Sequence, residues 1–176
     1  MSETYGTGGV APSSVGDILS GEQLQALRES YSNERMNQIA RTGVSGSFTP
    51  AAHLHQVLTD LFFHGLQEVD ANARVGPSAA VPTPLSARER EIIIISMMTA
   101  RLADPVFLAI HIYWGLMEGL SPEEIAWVQH LSGLYSGIDK FSRGIRVLTD
   151  TLRALQSCSS ATDVDTVVRE LAKQVQ

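Results

Sequence analysis

Three helix-start signals in the second half of the chain restrict its possible folds more than any other feature of the sequence. Residues 86–89 (Ser-Ala-Arg-Glu) have the spacing of a capping box, in which two side chains satisfy free backbone N–H groups at a helix start. Residues 104–105 (Asp-Pro) and 121–124 (Ser-Pro-Glu-Glu) each combine an N-cap residue with a proline at the first helical position. Gly119 and Gly137 then stand where helices commonly end.

The spacing of apolar residues predicts helices over the whole chain beyond its first residues. The four isoleucines at 92–95 would also suit a strand, but the capping box and the continuation to Met98 favour a helix buried on several sides. No two segments alternate as hairpin strands do. We therefore expect an all-α bundle of about six to seven helices. The predicted helices cover residues 21–41, 49–66, 86–102, 105–119, 122–135, 138–155 and 162–175.

Composition indicates the number of domains and argues against one class of function. With 176 residues, 44% of them apolar, the chain can form one domain with a core. Residues 1–16 are rich in Gly, Ser, Thr and Pro and predict a flexible arm, so residues 17–176 form the domain, with a connector at 75–84. A net charge of −6 without a basic run argues against nucleic-acid binding.

The sequence also predicts where the protein resides. No apolar run approaches the about 20 residues that span a bilayer. The N-terminus lacks the basic and apolar regions of a secretory signal, and the single cysteine, Cys158, excludes an internal disulfide and a CxxC pair. We expect a cytoplasmic protein that binds neither membranes nor nucleic acid.

Three histidines precede the connector, and their spacing does not favour a metal site. His53 and His55 point to opposite faces of a helix, and His64 lies about 16 Å further along the axis than His53. Neither spacing matches the usual ligand pairs of helical metal sites. We interpret all three as packing or surface residues and predict no metal.

His111 is the first candidate functional residue, because it lies within an otherwise apolar helix. It shares one helical stripe with Asp104, Phe107, Gly115 and Glu118. Gly115, one turn away, is expected to leave space beside the imidazole. Two interpretations stay open: a proton-transfer residue, or a core histidine bonded to a backbone carbonyl.

Glu91 is the second candidate, since it precedes the buried isoleucines and could act as an acid or base at the edge of a dry site. A glutamate favoured by the helix dipole is the alternative. Arg88, Arg90 and Arg101 could bind an anionic substrate, although surface salt bridges explain them equally well. Nothing near Cys158 in the sequence would activate its thiolate.

Several of these segments occur in the order found in one family. They are residues 85–91 (Leu-Ser-Ala-Arg-Glu-Arg-Glu), the apolar helix, His111, residues 119–125 (Gly-Leu-Ser-Pro-Glu-Glu-Ile) and residues 134–138 (Leu-Tyr-Ser-Gly-Ile). The stretch from about 85 to 152 resembles the carboxymuconolactone decarboxylase family. The other branch of that family, similar to alkylhydroperoxidase D, carries a CxxC pair before the histidine. Aligned on His111, the two cysteine positions fall on Asp104 and Phe107, which argues against a thiol peroxidase or disulfide reductase of that kind.

The resemblance implies a cofactor-free lyase or isomerase that acts on a small anionic carbonyl or lactone compound, and assembly into trimers or hexamers. His111 would deliver a proton to carbon, helped by Glu91. The residues predicted to bind the substrate are Arg88, Arg90, Arg101, Asp104, Phe107 and Trp114. A non-catalytic ligand-binding or scaffold relative with the same fold is the alternative.

Overall fold

The computed structural model describes residues 14–42, 85–158 and 163–175, and these contain helices without any strand. The all-α prediction is therefore confirmed for this part of the chain. A short 3-10 helix, Val15–Asp17, precedes the first α-helix. The described ranges contain seven α-helices: α1 (Gly21–Ser30), α2 (Asn33–Thr42), α3 (Ala87–Ala100), α4 (Pro105–Met117), α5 (Pro122–Ser136), α6 (Ile138–Ser157) and α7 (Val164–Gln174).

The helix starts follow the capping signals of the sequence. Ser86 Oγ accepts from the backbone N–H of Glu89, and the Glu89 carboxylate accepts from the backbone N–H of Ser86. Ser121 and Glu124 repeat this reciprocal pair at α5. Asp104 accepts from the N–H of Val106 at the start of α4. These local hydrogen bonds explain why the boundaries of the second half were predictable.

Two predictions about the helices were wrong. The helix expected over residues 21–41 is two helices, because Ser32 accepts a hydrogen bond from the backbone N–H of Arg35 and starts α2 anew. The helix with the four isoleucines is not buried on several sides. Its fully buried residues form one stripe, Glu91, Ile95 and Thr99, whereas Ile93 and Met97 are exposed. The helix predicted over 49–66, with His53, His55 and His64, and the connector 75–84 lie outside the described residues. So do residues 1–13 of the predicted arm.

Helices α3 and α5 run parallel to each other, with a constant offset of 36 residues. Arg88 pairs with Glu124 near their N-termini, and Ser96 Oγ lies 2.9 Å from Ser132 Oγ two turns later. Helix α6 then returns antiparallel to α5 after Gly137, whose φ of 123° lies outside the range that other residues adopt easily. Helix α4 has no exposed residue, and it packs against α3, α6, α7 and α1. The core includes Ile95, Ile112, Leu116, Leu148, Leu152, Leu155 and Leu171.

The crossing of α5 and α6 depends on Gly133. A Cβ at this position would lie 2.4 Å from Cβ of Phe141, and 3.3 Å from its backbone, so the helices would have to separate. We expect Gly133→Ala to lower the free energy of unfolding by about 1–3 kcal/mol, the usual cost of overpacking. Urea denaturation measures this change. Gly21→Ala is the matched control, because its Cβ would meet nothing within 4 Å, and an equal loss in both variants would contradict the interpretation.

A bidentate ion pair between Arg35 and Asp165 joins α2 to α7, with two N···O distances of 2.6 Å. The hydrogen bonds from Arg35 hold the pKa of Asp165 below its ordinary value of 3.8. A carboxyl whose pKa is lowered by folding contributes stability above its unfolded pKa, and this contribution is lost as the pH falls through the folded pKa.

We therefore expect Asp165→Asn to be less stable than the wild type at pH 6, and the difference to shrink below about pH 3.9. Urea denaturation across this range measures it. Asp150→Asn, which breaks only a contact within α6 to Arg153, serves as the control. A difference that does not change with pH would show that the ion pair is not its source.

No helix in the described ranges is long and apolar enough to cross a membrane.

Candidate functional site

The structure brings the two predicted catalytic residues into contact. Glu91 lies in the second turn of α3 and His111 in the middle of α4, and His111 Nδ1 is 2.9 Å from Glu91 Oε2. The Glu91 side chain is 6% exposed and the His111 side chain 25% exposed. A buried carboxylate thus holds one edge of an imidazole ring that still reaches the surface.

This hydrogen bond sets the orientation of the imidazole. In the neutral ring, an Nδ1–H that donates to the carboxylate leaves a lone pair on Nε2, whereas the imidazolium carries a proton on both nitrogens. His111 Nε2 has no hydrogen-bond partner within the part of the chain that the structure describes. The Glu91 carboxylate thus fixes the orientation of the imidazole ring. The interpretation of His111 as a core residue bonded to a backbone carbonyl is therefore wrong.

Gly115 lies one turn after His111, and it has a different role from the one expected. A Cβ at Gly115 would lie 2.8 Å from Leu120 Cδ1, 3.2 Å from Ile95 Cδ1 and 3.6 Å from Glu91 Cβ. The glycine therefore opens no space beside the imidazole. It allows α3 and α4 to approach closely, and this close approach brings Glu91 within reach of His111.

Aromatic residues form one side of the site. The ring of Trp114 lies nearly parallel to that of His111, with 6.0 Å between centroids and 10° between planes. Tyr31, from the link between α1 and α2, has its phenol close to Trp114, and its ring packs edge-on against that of Tyr113 with 6.0 Å between centroids. Burial raises the pKa of Tyr31 far above its ordinary value, and the charges of Glu118 and Glu91 raise it further. Tyr31 therefore stays protonated and close to the site.

Tyr31 is held there by an anchor in the preceding helix. Arg28 Nε donates to the carbonyl oxygen of Leu116 at 2.9 Å, and Arg28 Nη2 donates to that of Leu120 at 3.2 Å. Leu116 is in the last turn of α4, where a cation is favoured by both hydrogen bonding and the helix dipole, and Leu120 is in the link that follows. Sequence reasoning did not identify Arg28 or Tyr31 as site residues, because both act on residues more than 80 positions away.

The predicted substrate-binding residues lie in different places. Trp114 is part of the site, Asp104 caps α4, and Phe107 is half-buried in its first turn. Arg88 pairs with Glu124, and Arg90 donates to the Leu85 carbonyl at 3.4 Å. Arg101 is exposed at the C-terminal end of α3. None of the three arginines makes a hydrogen bond or ion pair with Glu91 or His111.

Other reactive groups stay apart from the site. Cys158 is buried at the end of α6, and burial raises the pKa of its thiol, which disfavours the thiolate. No group of three or more His, Cys, Asp or Glu side chains in the described ranges could hold a metal ion. His130 packs between the rings of Trp127 and Phe141 on α5 and α6.

Comparisons with known proteins found no match: no family model, no curated protein and no solved structure is significantly similar to this chain.

Proposed function

We propose that the protein is an acid–base enzyme in which Glu91 orients His111 for proton transfer to carbon. The observation that carries this proposal is the 2.9 Å contact between a buried carboxylate and a partly exposed imidazole. Catalytic histidines are commonly oriented in this way, because a fixed tautomer presents a defined nitrogen to the substrate. The substrate class that we propose is a small anionic carbonyl or lactone compound, which the sequence resemblance implies.

The reaction would be a decarboxylation or an isomerisation through an enolate. In the decarboxylation, the bond between the α-carbon and the carboxylate breaks, and its electron pair remains on the α-carbon as an enolate. The imidazolium form of His111 donates its Nε2 proton to this carbon as carbon dioxide leaves. This produces the neutral ring, whose Nδ1–H stays bonded to Glu91, and solvent then returns a proton to Nε2. Trp114 provides an apolar wall beside the ring, and Tyr31 provides a protonated phenol nearby. Which arginine binds the substrate carboxylate stays a prediction from the sequence.

Hydrogen–deuterium exchange tests this reaction class even while the exact substrate is unidentified. The purified protein is incubated in D₂O with a panel of 3-oxo acids and lactone carboxylates, and proton NMR follows deuterium incorporation at carbon and release of carbon dioxide. We expect the wild type to accelerate one of these processes for at least one member. A compound that binds tightly and is recovered without exchange would support the alternative, a ligand-binding or scaffold protein.

We also propose that the protein assembles with further copies of itself through one apolar surface. All the large apolar side chains that are exposed in the described ranges come from α3, α5 and their flanking residues. The surface, named here the α3–α5 face, comprises Leu85, Ile93, Met97, Trp127, Leu131, Leu134, Tyr135 and Ile138.

The parallel arrangement of α3 and α5 places these side chains on the same side of the helix pair. Arg88 and Ser96 face α5, so Ile92, four residues from each, faces it too; by the same spacing from Glu124 and Ser132, Val128 faces α3. Ile93 follows Ile92, whereas Trp127 precedes Val128. In parallel helices, these opposite steps of about 100° turn both side chains to one side. The exposed stripes of the two helices therefore form one continuous surface.

The size of the α3–α5 face matches an interface with a second copy. Its eight residues are between 39% and 93% exposed, and their combined area is comparable to the about 800 Å² that each partner buries in a standard interface. Apolar patches of this size are uncommon on monomers. Sedimentation velocity at micromolar concentration is expected to show an oligomer, and a monomer at 100 µM would contradict the proposal.

A further inference from the structure

The Glu91 hydrogen bond determines which nitrogen of the His111 ring faces the buried carboxylate, but it controls the tilt of the ring less tightly. Hydrogen bonds weaken steeply only when the donor angle falls below about 120°, so the 2.9 Å contact between Nδ1 and Oε2 tolerates a considerable tilt. The ring also borders solvent, since the side chain is 25% exposed. A further contact is therefore needed to hold the ring plane, because proton transfer depends on the direction of Nε2.

The indole ring of Trp114 makes such a contact. Trp114 follows His111 by three residues on α4, so the two side chains are neighbours on the helix surface. Their ring centroids lie 6.0 Å apart, and their planes differ by only 10°. Aromatic pairs favour this kind of stacked arrangement at centroid distances of about 4.5–7 Å. Tilting the imidazole would break the parallel alignment and push one edge of the ring toward the indole.

The Trp114 side chain is itself held in place. Trp114 is 7% exposed, and the phenol of Tyr31 lies close to it. The Tyr31 ring packs edge-on against Tyr113, with 6.0 Å between centroids and 88° between planes. Arg28, three residues before Tyr31, donates to two carbonyl groups in the last turn of α4 and the link that follows. Contacts from α1 and its link to α2 therefore restrict the indole that stacks on His111.

We propose that Trp114 is a positioning residue, which holds the plane of the His111 imidazole so that Nε2 points in one direction. Glu91 selects the nitrogen that faces inward, and Trp114 limits the tilt that this hydrogen bond leaves open. This role rests on the acid–base function proposed for His111. It differs from the substrate binding that the sequence predicts for Trp114.

Carbon-13 relaxation of the His111 ring measures its motion without any substrate. In the wild type we expect an order parameter of about 0.85 for the ring C–H bonds, the value of a rigid group. In Trp114→Leu we expect the order parameter to fall to about 0.6, because leucine has no flat face against which the imidazole can stack. Trp114→Phe keeps a flat face and is expected to retain most of the wild-type value.

Leu108→Ala is the matched control for the loss of packing in α4. Leu108 is 3% exposed and lies one turn before His111, so its truncation also removes buried apolar contacts from this helix. We expect this variant to keep the wild-type order parameter of the His111 ring. An equal fall in Leu108→Ala and Trp114→Leu would overturn the proposal, because a general loosening of α4 would then explain both.

Turnover of the compound that the D₂O panel identifies gives a second readout. We expect Trp114→Leu to lower kcat by about 10–100-fold with little change in KM, because a misdirected Nε2 slows proton transfer without removing a binding contact. Trp114→Phe is expected to restore most of the lost kcat. A raised KM with unchanged kcat would overturn the proposal and identify Trp114 as a substrate-binding residue.

A His111 ring that stays rigid in Trp114→Leu would also overturn the proposal, whatever the effect of the substitution on turnover. The acid–base function is tested separately from this role of Trp114. If the wild type accelerates no compound in the panel, that function is contradicted, and the order parameter of the ring still decides whether Trp114 holds the imidazole.

Discussion

Replacing His111 with glutamine is expected to lower turnover by about 10²–10⁴-fold, the usual contribution of a general acid or base. Glutamine can still donate a hydrogen bond to Glu91, so the buried carboxylate keeps a partner and the fold is retained. It cannot transfer a proton, however. The measurement is the rate of deuterium incorporation or decarboxylation for the compound that the D₂O panel identifies, with circular dichroism to verify folding.

The matched control is His130→Gln, because His130 contacts Trp127 and Phe141 rather than Glu91. We expect the control to keep its turnover. His111→Ala is less suitable as the main variant, since it leaves the Glu91 carboxylate buried without its partner, at a cost of about 1–3 kcal/mol or more. A His111→Gln protein with undiminished turnover would exclude His111 as the proton donor.

A charge in the centre of the α3–α5 face is expected to dissociate the oligomer. Leu131 is 51% exposed and follows Trp127 by one turn on this face. Leu131→Glu places a carboxylate where a second copy would exclude water, and a buried unpaired charge opposes association strongly. We expect the dissociation constant to rise at least about 100-fold, which corresponds to roughly 2.7 kcal/mol. Sedimentation velocity over a concentration series measures this change.

Gln25→Glu is the control for this experiment, because it adds the same charge to an exposed position on α1, away from the α3–α5 face. The control is expected to assemble as the wild type does. If Leu131→Glu retains the wild-type dissociation constant, the oligomer forms through another surface. If both variants dissociate, the added net charge and not its position is responsible.

The helix boundaries of the second half could be predicted from the sequence because capping is local. Ser86 and Glu89 satisfy each other's backbone groups without help from the rest of the fold. The break between α1 and α2 was missed because Ser32 starts the second helix without the proline or glutamate that marks the later starts. Hydrogen bonds at the helix N-termini therefore explain both the boundaries that were predicted and the one that was missed.

The way the helices pack against one another was harder to predict from the sequence. Ile93 and Ile95 are the same residue type, yet one is exposed and the other is fully buried. Periodicity cannot distinguish them when nearly every position of a helix is apolar. The α3–α5 face could therefore be recognised only in the three-dimensional structure.

The candidate site was also only partly predictable from the sequence. Glu91 and His111 could each be selected from the sequence, since both are ionisable residues beside apolar runs. Their hydrogen bond depends on the close approach of α3 and α4 at Gly115, which the spacing did not reveal. Tyr31 and Arg28 reach the site through tertiary contacts that no local pattern encodes.

The tautomer of neutral His111 is the most direct test of the central claim, that Glu91 holds the ring with Nε2 available for proton transfer. Two-bond ¹H–¹⁵N correlation spectra at a pH where the ring is neutral distinguish the two nitrogens. The proposal predicts a proton on Nδ1 and none on Nε2 in the wild type, and loss of this preference in Glu91→Leu. A proton on Nε2 in the neutral wild-type ring would contradict it.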